Sequence, residues 1–113
     1  MNRYWPFLLL LLIAPALADD AEAVRKGHEL ATTICAYCHV VDAGDLNTPV
    51  INPPGPPFAK IANRGDLSLD ALETFLRTTH RDVKEPKGMS NPKLLDFQIE
   101  AIAAYVLSLR TAR

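Results

Sequence analysis

The sequence is poor in cysteine and tryptophan and has no strong excess of either charge. Its 113 residues include 2 cysteines, 1 tryptophan and 12 Lys+Arg against 13 Asp+Glu. A nucleic-acid-binding domain carries a clear basic excess, so we expect no nucleic-acid partner. Nowhere do apolar and polar residues alternate between hairpin signals, so the pattern also disfavours a β fold.

The sequence also lacks an apolar run long enough to span a membrane. A transmembrane helix needs about 20 apolar residues, whereas the N-terminal run covers only residues 7–13. Arg3 precedes this run, and small residues at 16–18 follow it. These three features are typical of a secretory signal peptide rather than an uncleaved membrane anchor. We therefore predict that residues 1–18 are a signal peptide that is removed on export.

Cleavage would leave a single small domain, residues 19–113. Those 95 residues (113 less the 18 removed) contain 11 Lys+Arg and 13 Asp+Glu, a net charge of −2, because only Arg3 is lost. We expect this domain to be periplasmic and monomeric, with no membrane span. Two free thiols tend to pair in an oxidising compartment, so a disulfide or a bound cofactor is expected at the cysteines.

Apolar residues recur at three- and four-residue intervals, which predicts an all-α domain. The predicted helices cover residues 19–39, 58–64, 66–81 and about 95–109, and the predicted loops cover residues 41–57 and 82–92. Asp19 and Asp20 suit the start of the first helix, and Ser68 suits the N-cap of the third. The predicted apolar face of the third helix consists of Leu69, Leu72, Phe75 and Leu76.

Both cysteines lie in one short stretch, Cys35-Ala36-Tyr37-Cys38-His39. A disulfide, a thioredoxin-like redox pair, a zinc site and a covalently bound haem are the alternatives for this stretch. The redox pair requires a βαβ unit and a zinc site requires four ligands, and the sequence offers neither. A disulfide gives no role to His39. The pattern C-x-x-C-H is the attachment signature of c-type haem, so we predict haem at Cys35 and Cys38 with His39 on the iron.

Met89 and His80 are the candidates for the opposite axial position of the iron. Met1 would leave with the signal peptide, so Met89 is the only thioether of the mature domain. A methionine ligand raises the reduction potential and suits electron transfer. We predict that Met89 binds the metal together with His39, and we keep His80 as the alternative ligand.

These features resemble the class I c-type cytochromes, which are small electron carriers with one haem. The resemblance covers nearly the whole mature chain: Gly27 and Ala31 before the motif, GPPF at residues 55–58, Met89, and IEAIAAYVLSL at residues 99–109. It implies a small cytochrome c fold, in which three to five helices wrap around one covalently bound haem c and the first and last helices cross.

The resemblance also implies roles for individual residues. Gly27 and Tyr105 match the positions where the first and last helices of such proteins meet. A proline carbonyl in these proteins accepts the proton on the free nitrogen of the axial imidazole. Pro56 best matches that proline, with Pro54 as the alternative, and Phe58 would pack against the porphyrin.

The sequence departs from the family pattern at one position that binds the cofactor. Trp5, the only tryptophan, lies in the predicted signal peptide, so the indole that binds a haem propionate in many relatives is missing. Arg64 or Asn63 is the candidate replacement. The short stretch between His39 and Met89 resembles a compact bacterial variant rather than the mitochondrial type.

Together these features predict a one-electron carrier rather than an enzyme, with redox proteins as its partners. Basic residues near Met89 form either a rim that steers docking to acidic partners or an ordinary solvated face: Arg77, Arg81, Lys84, Lys87 and Lys93. The alternative functions are a haem-based gas or small-ligand binding protein and a cytochrome subunit of a periplasmic dehydrogenase or oxidase complex.

Overall fold

The computed structural model describes residues 14–44, 46–78 and 88–111, and within them the chain forms helices and loops without a strand. The four helices are α1 (Ala14–Ile34), α2 (Phe58–Ala62), α3 (Leu69–Arg77) and α4 (Asp96–Ser108). The predicted all-α fold is confirmed. No helix in these described ranges is both long and apolar enough to cross a membrane.

Helix α1 begins at Ala14, five residues before the start that we predicted at Asp19. Pro15 is compatible with the first turn, because its φ angle is already helical and the N–H that it lacks has no partner there. In the full-length chain the helix therefore runs through the predicted cleavage site. The division into residues 1–18 and 19–113 stays a prediction, and Trp5 lies outside the described residues.

Helices α1 and α4 approach each other closely at Gly27. A Cβ atom built on Gly27 would overlap the carbonyl oxygen of Ala101 and would lie 2.7 Å from Cβ of Tyr105. Only a residue without a side chain allows the two backbones to come this near. The predicted meeting of Gly27 with Tyr105 is thus confirmed, and this contact sets the position of α4 on α1.

Helix α4 is the centre of the core, since it packs against α1, α2 and α3. Its buried apolar side chains include Ile99, Ile102, Ala103 and Val106. Helix α3 contributes Leu72 and Leu76, but the other two residues of its predicted apolar face, Leu69 and Phe75, are exposed. Leu69 is the first residue of α3, and Phe75 borders a cavity together with Leu72 and Leu76.

The ends of the helices are held by specific hydrogen bonds. Ser68 Oγ accepts a hydrogen bond from the backbone N–H of Ala71 at 3.1 Å, so its predicted role as the α3 N-cap is confirmed. Arg110 follows α4 and donates hydrogen bonds to the carbonyl oxygens of Ala62 and Leu67, each at 2.8 Å. These bonds tie the C-terminal end of α4 to the segment between α2 and α3.

Candidate functional site

The cysteine motif forms a turn that continues directly from the end of α1. The backbone N–H of Cys35 donates to the carbonyl of Ala31 at 2.8 Å, and those of Cys38 and His39 donate to the carbonyl of Cys35 at 3.1 and 2.9 Å. The two cysteines form no disulfide with each other and are half-buried. Burial, reinforced by the neighbouring Cys38, raises the pKa of the Cys35 thiol to about 11, so this thiol is protonated at neutral pH.

The imidazole of His39 is buried and held in one tautomer. Its Nδ1 lies 2.7 Å from the carbonyl oxygen of Pro56. A carbonyl oxygen only accepts hydrogen bonds, so Nδ1 must carry the proton and donate it. The lone pair of the neutral ring is therefore on Nε2, which is the usual arrangement of a histidine prepared to bind a metal. The contact is made by Pro56 and not by Pro54.

The proline-rich loop reaches His39 because it is hydrogen-bonded along the cysteine motif. The backbone N–H of Gly55 donates to the carbonyl of Cys38 at 2.7 Å, and that of Phe58 donates to the carbonyl of Val40 at 2.9 Å. These two bonds flank Pro56 and fix the direction of its carbonyl group.

Gly55 contributes to the site in a way that our reading of the sequence missed. A Cβ atom built on it would lie 2.5 Å from Cε1 of His39 and 2.8 Å from Nδ1. The backbone of Gly55 therefore forms a wall against which the imidazole rests. The sequence does contain a signal for this role: Gly55 has prolines on both sides, and a glycine in such a loop often allows close approach of another group.

Asn47 was also missed, and it fixes the segment that follows the motif. Its Oδ1 accepts hydrogen bonds from the backbone N–H groups of Val41 and Asp42, at 2.9 and 3.4 Å. Its Nδ2 donates to the carbonyl of His39 at 2.9 Å. The chain leaving His39 is thus held by three hydrogen bonds to one side chain. An asparagine in a loop rich in turn residues has no sequence signal that distinguishes this role.

A cavity of about 380 Å³ opens beside His39. Five of the six predicted cofactor-binding residues line it: Cys35, His39, Pro56, Phe58 and Met89. The sixth, Cys38, does not line this cavity. The rest of the lining is mostly aliphatic and comes from α2, α3, α4 and the segments between them, and it also includes the charged residues Arg64 and Asp66.

Phe58 and Met89 border the cavity in different ways. Phe58 is buried, and its ring centroid lies 5.4 Å from that of His39. Met89 is half-buried and packs against the edge of the hydrophobic core, although its sequence neighbours are polar. A thioether on the lining of an apolar cavity is available as a soft metal ligand.

Asn63 and Arg64, the two candidates to replace the missing tryptophan, lie in different surroundings. Asn63 is engaged elsewhere: its Nδ2 donates to the carbonyl of Ala59 at 2.7 Å, and its Oδ1 accepts from the backbone and side chain of Thr111 at 3.1 and 2.9 Å. Arg64 lines the cavity instead. Arg64 is thus the residue placed to meet a carboxylate of a group bound there.

Several predicted residues lie outside the described residues, namely His80, Arg81, Lys84 and Lys87. Arg77, from the same predicted basic rim, is near two carboxylates, Asp96 at 3.4 Å and Glu73 at 3.8 Å. His28 is exposed, and its Nε2 lies 2.6 Å from Oδ1 of Asp42.

The residues present fit a haem group. The cavity is large and mostly apolar, as cofactor sites usually are. One imidazole with a free Nε2, one thioether and one thiol border it, and these are the groups that hold iron and porphyrin in a c-type cytochrome.

Comparison with known proteins agrees with this arrangement. Residues 24–110 match the model of the cytochrome c family. The chain is also 37% identical to cytochrome c-552 of Bradyrhizobium diazoefficiens over 112 residues, which cover 97% of this chain and 99% of that relative. No solved structure matches the chain.

The chain therefore belongs to the cytochrome c family and is a class I c-type cytochrome. The family is one of electron-transfer proteins rather than enzymes. Membership implies a covalently bound haem c, for which the two cysteines are present, and redox proteins as partners.

Proposed function

We propose that this cytochrome is an exported one-electron carrier with a single haem c bound through thioether bonds to Cys35 and Cys38. His39 and Met89 would be the residues that hold its iron. When bound, the haem supplies the redox chemistry, with its iron alternating between the ferrous and ferric states. The protein holds both ligands in place, so that little has to move when an electron arrives or leaves.

The hydrogen bond from His39 to Pro56 is the observation that carries this proposal. It fixes the tautomer and the orientation of the imidazole. The backbone of Gly55 also packs against this ring. A ligand that is already oriented has little entropy to lose on binding and little freedom to rearrange during electron transfer.

Two observations support Met89 as the second ligand. It lines the cavity, and its neighbours in the sequence are polar. A methionine that served only to fill the core would be expected among apolar neighbours. A neutral sulfur ligand favours ferrous iron and so raises the reduction potential, which suits an electron carrier.

Export to the periplasm, cleavage after Ala18 and a monomeric mature domain complete the proposal. Covalent attachment of haem and a cleaved signal peptide are both visible in the mass of the intact protein. The mature protein should have the mass of residues 19–113 plus one haem. A mass that retains residues 1–18 would contradict export with cleavage, and a mass without haem would contradict the whole proposal.

Replacement of Met89 tests the ligand assignment. The ferric wild-type protein at neutral pH should show the weak red absorption band of a methionine–iron bond. Met89→Ala should abolish this band and lower the midpoint potential. Leu67→Ala is the matched control, because Leu67 lines the same cavity without a ligand atom, and this variant should keep the band.

Two results would lead to other assignments. A six-coordinate iron and a midpoint potential that both survive Met89→Ala would show that another group, such as His80, binds the iron. Rapid binding of carbon monoxide by the reduced wild-type protein would identify an open iron site, and hence a gas or small-ligand binding protein instead of a carrier.

A further inference from the structure

Three large apolar side chains are exposed on two segments whose backbones meet at the cysteine motif. Tyr37, which lies between the two cysteines, is 59% exposed, Val50 is 68% exposed and Ile51 is 36% exposed. We call these three residues the Tyr37 patch. Large apolar groups that face solvent side by side, rather than singly, mark surfaces that bind other molecules.

The backbone of the Tyr37 patch is fixed by hydrogen bonds. The carbonyl of Tyr37 accepts hydrogen bonds from the backbone N–H groups of Val50 and Ile51, at 2.8 and 3.3 Å. Four prolines follow within the next six residues and restrict the loop further. A surface that is already ordered loses little conformational entropy when a partner docks on it.

The segments that form the patch carry no charge. No Asp, Glu, Lys, Arg or His occurs from residue 30 to residue 38, or from residue 46 to residue 59. The exposed Leu46 extends the apolar character at the start of the second segment. The two segments that form the patch are therefore uncharged, in contrast to the predicted basic rim near Met89.

We propose that the Tyr37 patch is the docking surface for an electron-transfer partner whose own redox centre is surrounded by an uncharged, apolar face. The proposal rests on the haem attachment to Cys35 and Cys38 proposed above. Tunnelling rates fall steeply with distance, so a partner must dock near the attachment site, and Tyr37 lies between the two attachment residues.

The absence of charge selects this kind of partner. A charged partner face would lose its hydration against the patch without gaining a counter-charge, which costs free energy. An anionic membrane is recognised through Lys and Arg side chains, and both segments lack them. Three exposed side chains make a small contact, as is typical of a transient complex from which a carrier must soon dissociate.

Charge insertion at Val50 tests the proposal, with the haem-loaded protein and two blue-copper electron-transfer proteins as probes. One probe has uncharged apolar residues around its copper, and the other has carboxylates there. The variants are Val50→Lys and Val50→Glu. The matched controls are Phe97→Lys and Phe97→Glu, because Phe97 is 56% exposed on α4, beside Glu22 and Lys26 of α1.

With the apolar probe, both Val50 variants should slow the second-order electron-transfer rate about tenfold, the factor that corresponds to 1.4 kcal/mol. Opposite charges should have the same effect, because each must be desolvated in the complex. The wild-type rate should change little with ionic strength. Both Phe97 variants should react at the wild-type rate.

Several results would overturn the proposal. Opposite effects of Val50→Lys and Val50→Glu, or a faster and salt-sensitive reaction with the acidic probe, would show a charged partner face. Equal slowing by the Phe97 variants would show that the partner does not dock specifically at the Tyr37 patch. Sedimentation as a dimer that Val50→Lys dissociates would assign the patch to a second copy, and co-sedimentation with phosphatidylserine vesicles would assign it to a membrane.

The ligand proposal and the docking proposal can fail separately. The red absorption band and the midpoint potential of the Val50 variants should equal those of the wild type, since Val50 does not line the cavity. A wild-type protein without the band would contradict the ligation by Met89. A normal band combined with unchanged rates in both Val50 variants would contradict only the docking surface.

Discussion

The backbone of Gly55 lies against the imidazole of His39, so that a Cβ atom at position 55 would be 2.5 Å from Cε1 of the ring. The same ring donates its Nδ1 proton to Pro56, the residue that follows. One short stretch of loop therefore sets both the position and the tautomer of the proposed iron ligand.

Replacement of Gly55 should disturb the iron site directly. In Gly55→Ala the new methyl group cannot coexist with the ring in its present position, so the imidazole must move or the loop must shift. We expect an altered midpoint potential and visible spectrum, together with a loss of about 1–3 kcal/mol in the free energy of unfolding. Both are measurable on purified protein, by redox titration and by urea unfolding.

Gly44→Ala is the control for this prediction. A Cβ atom at Gly44 would meet nothing closer than a side-chain atom of Leu46 at 3.8 Å, an ordinary contact. Its spectrum and potential should equal those of the wild type. If Gly55→Ala behaves in the same way as Gly44→Ala, the loop does not support the imidazole.

Gly27→Ala should destabilise the packing of α1 on α4. Alanine is a better helix former than glycine by about 1 kcal/mol, but here its methyl group would overlap the carbonyl oxygen of Ala101. We expect a net loss of about 1–3 kcal/mol in the free energy of unfolding, measured in urea. The clash is with backbone, so adding Ala101→Gly should not restore stability. A variant as stable as the wild type would show that the helices can separate at no cost.

The crossing of α1 and α4 was predictable because the sequence marks it. Gly27 stands in the middle of a helical pattern, where glycine destabilises the helix, so its presence indicates a close contact. The resemblance to known cytochromes identified Tyr105 as the partner in that contact. Cys35, Cys38, His39 and Met89 were singled out by their chemistry, as residue types that few other roles explain in this setting.

The support of His39 by Gly55 and Asn47 was not predictable in the same way. Both residues act through contacts with a segment several residues away, and those contacts depend on the path of a loop that has no periodicity. The exposure of Phe75 has a similar origin. Helical spacing identifies an apolar face, but it does not tell which part of that face meets the core and which part borders a cavity.

Asn47→Ala should loosen the segment that follows His39. It removes hydrogen bonds to the backbone of His39, Val41 and Asp42 and leaves these groups to find other partners. We expect a loss of about 1–3 kcal/mol in the free energy of unfolding. Asn52→Ala, at an exposed position of the same loop, should stay within about 0.5 kcal/mol of the wild type. Equal stability of the two variants would contradict a structural role for Asn47.

Tyr105→Phe should destabilise the fold through a single buried hydrogen bond. The hydroxyl of Tyr105 donates to the carbonyl of Val41 at 2.6 Å, and both residues are buried. Phenylalanine keeps the ring but leaves that carbonyl unpaired, at a cost of about 1–3 kcal/mol in unfolding free energy. The matched control is Tyr37→Phe, because Tyr37 is exposed, and its stability should not change.

The contribution of Tyr105 should also disappear at alkaline pH. Burial, and then the negative charge of Asp42, raise the pKa of the Tyr105 hydroxyl above its usual value. The unfolded chain therefore releases this proton at lower pH than the folded protein does. The stabilisation is complete below the unfolded pKa of about 10 and is lost as the pH rises through the folded pKa.

Unfolding free energies of the wild type and Tyr105→Phe should thus converge as the pH is raised above about 10. Other alkaline groups are common to both proteins and cancel in the difference. Asp42→Asn, which removes the nearby negative charge, should keep the tyrosine hydroxyl but shift this convergence to lower pH, because without that charge the hydroxyl ionises more readily. A difference between wild type and Tyr105→Phe that stays constant from neutral to strongly alkaline pH would show that Tyr105 ionises equally in both states.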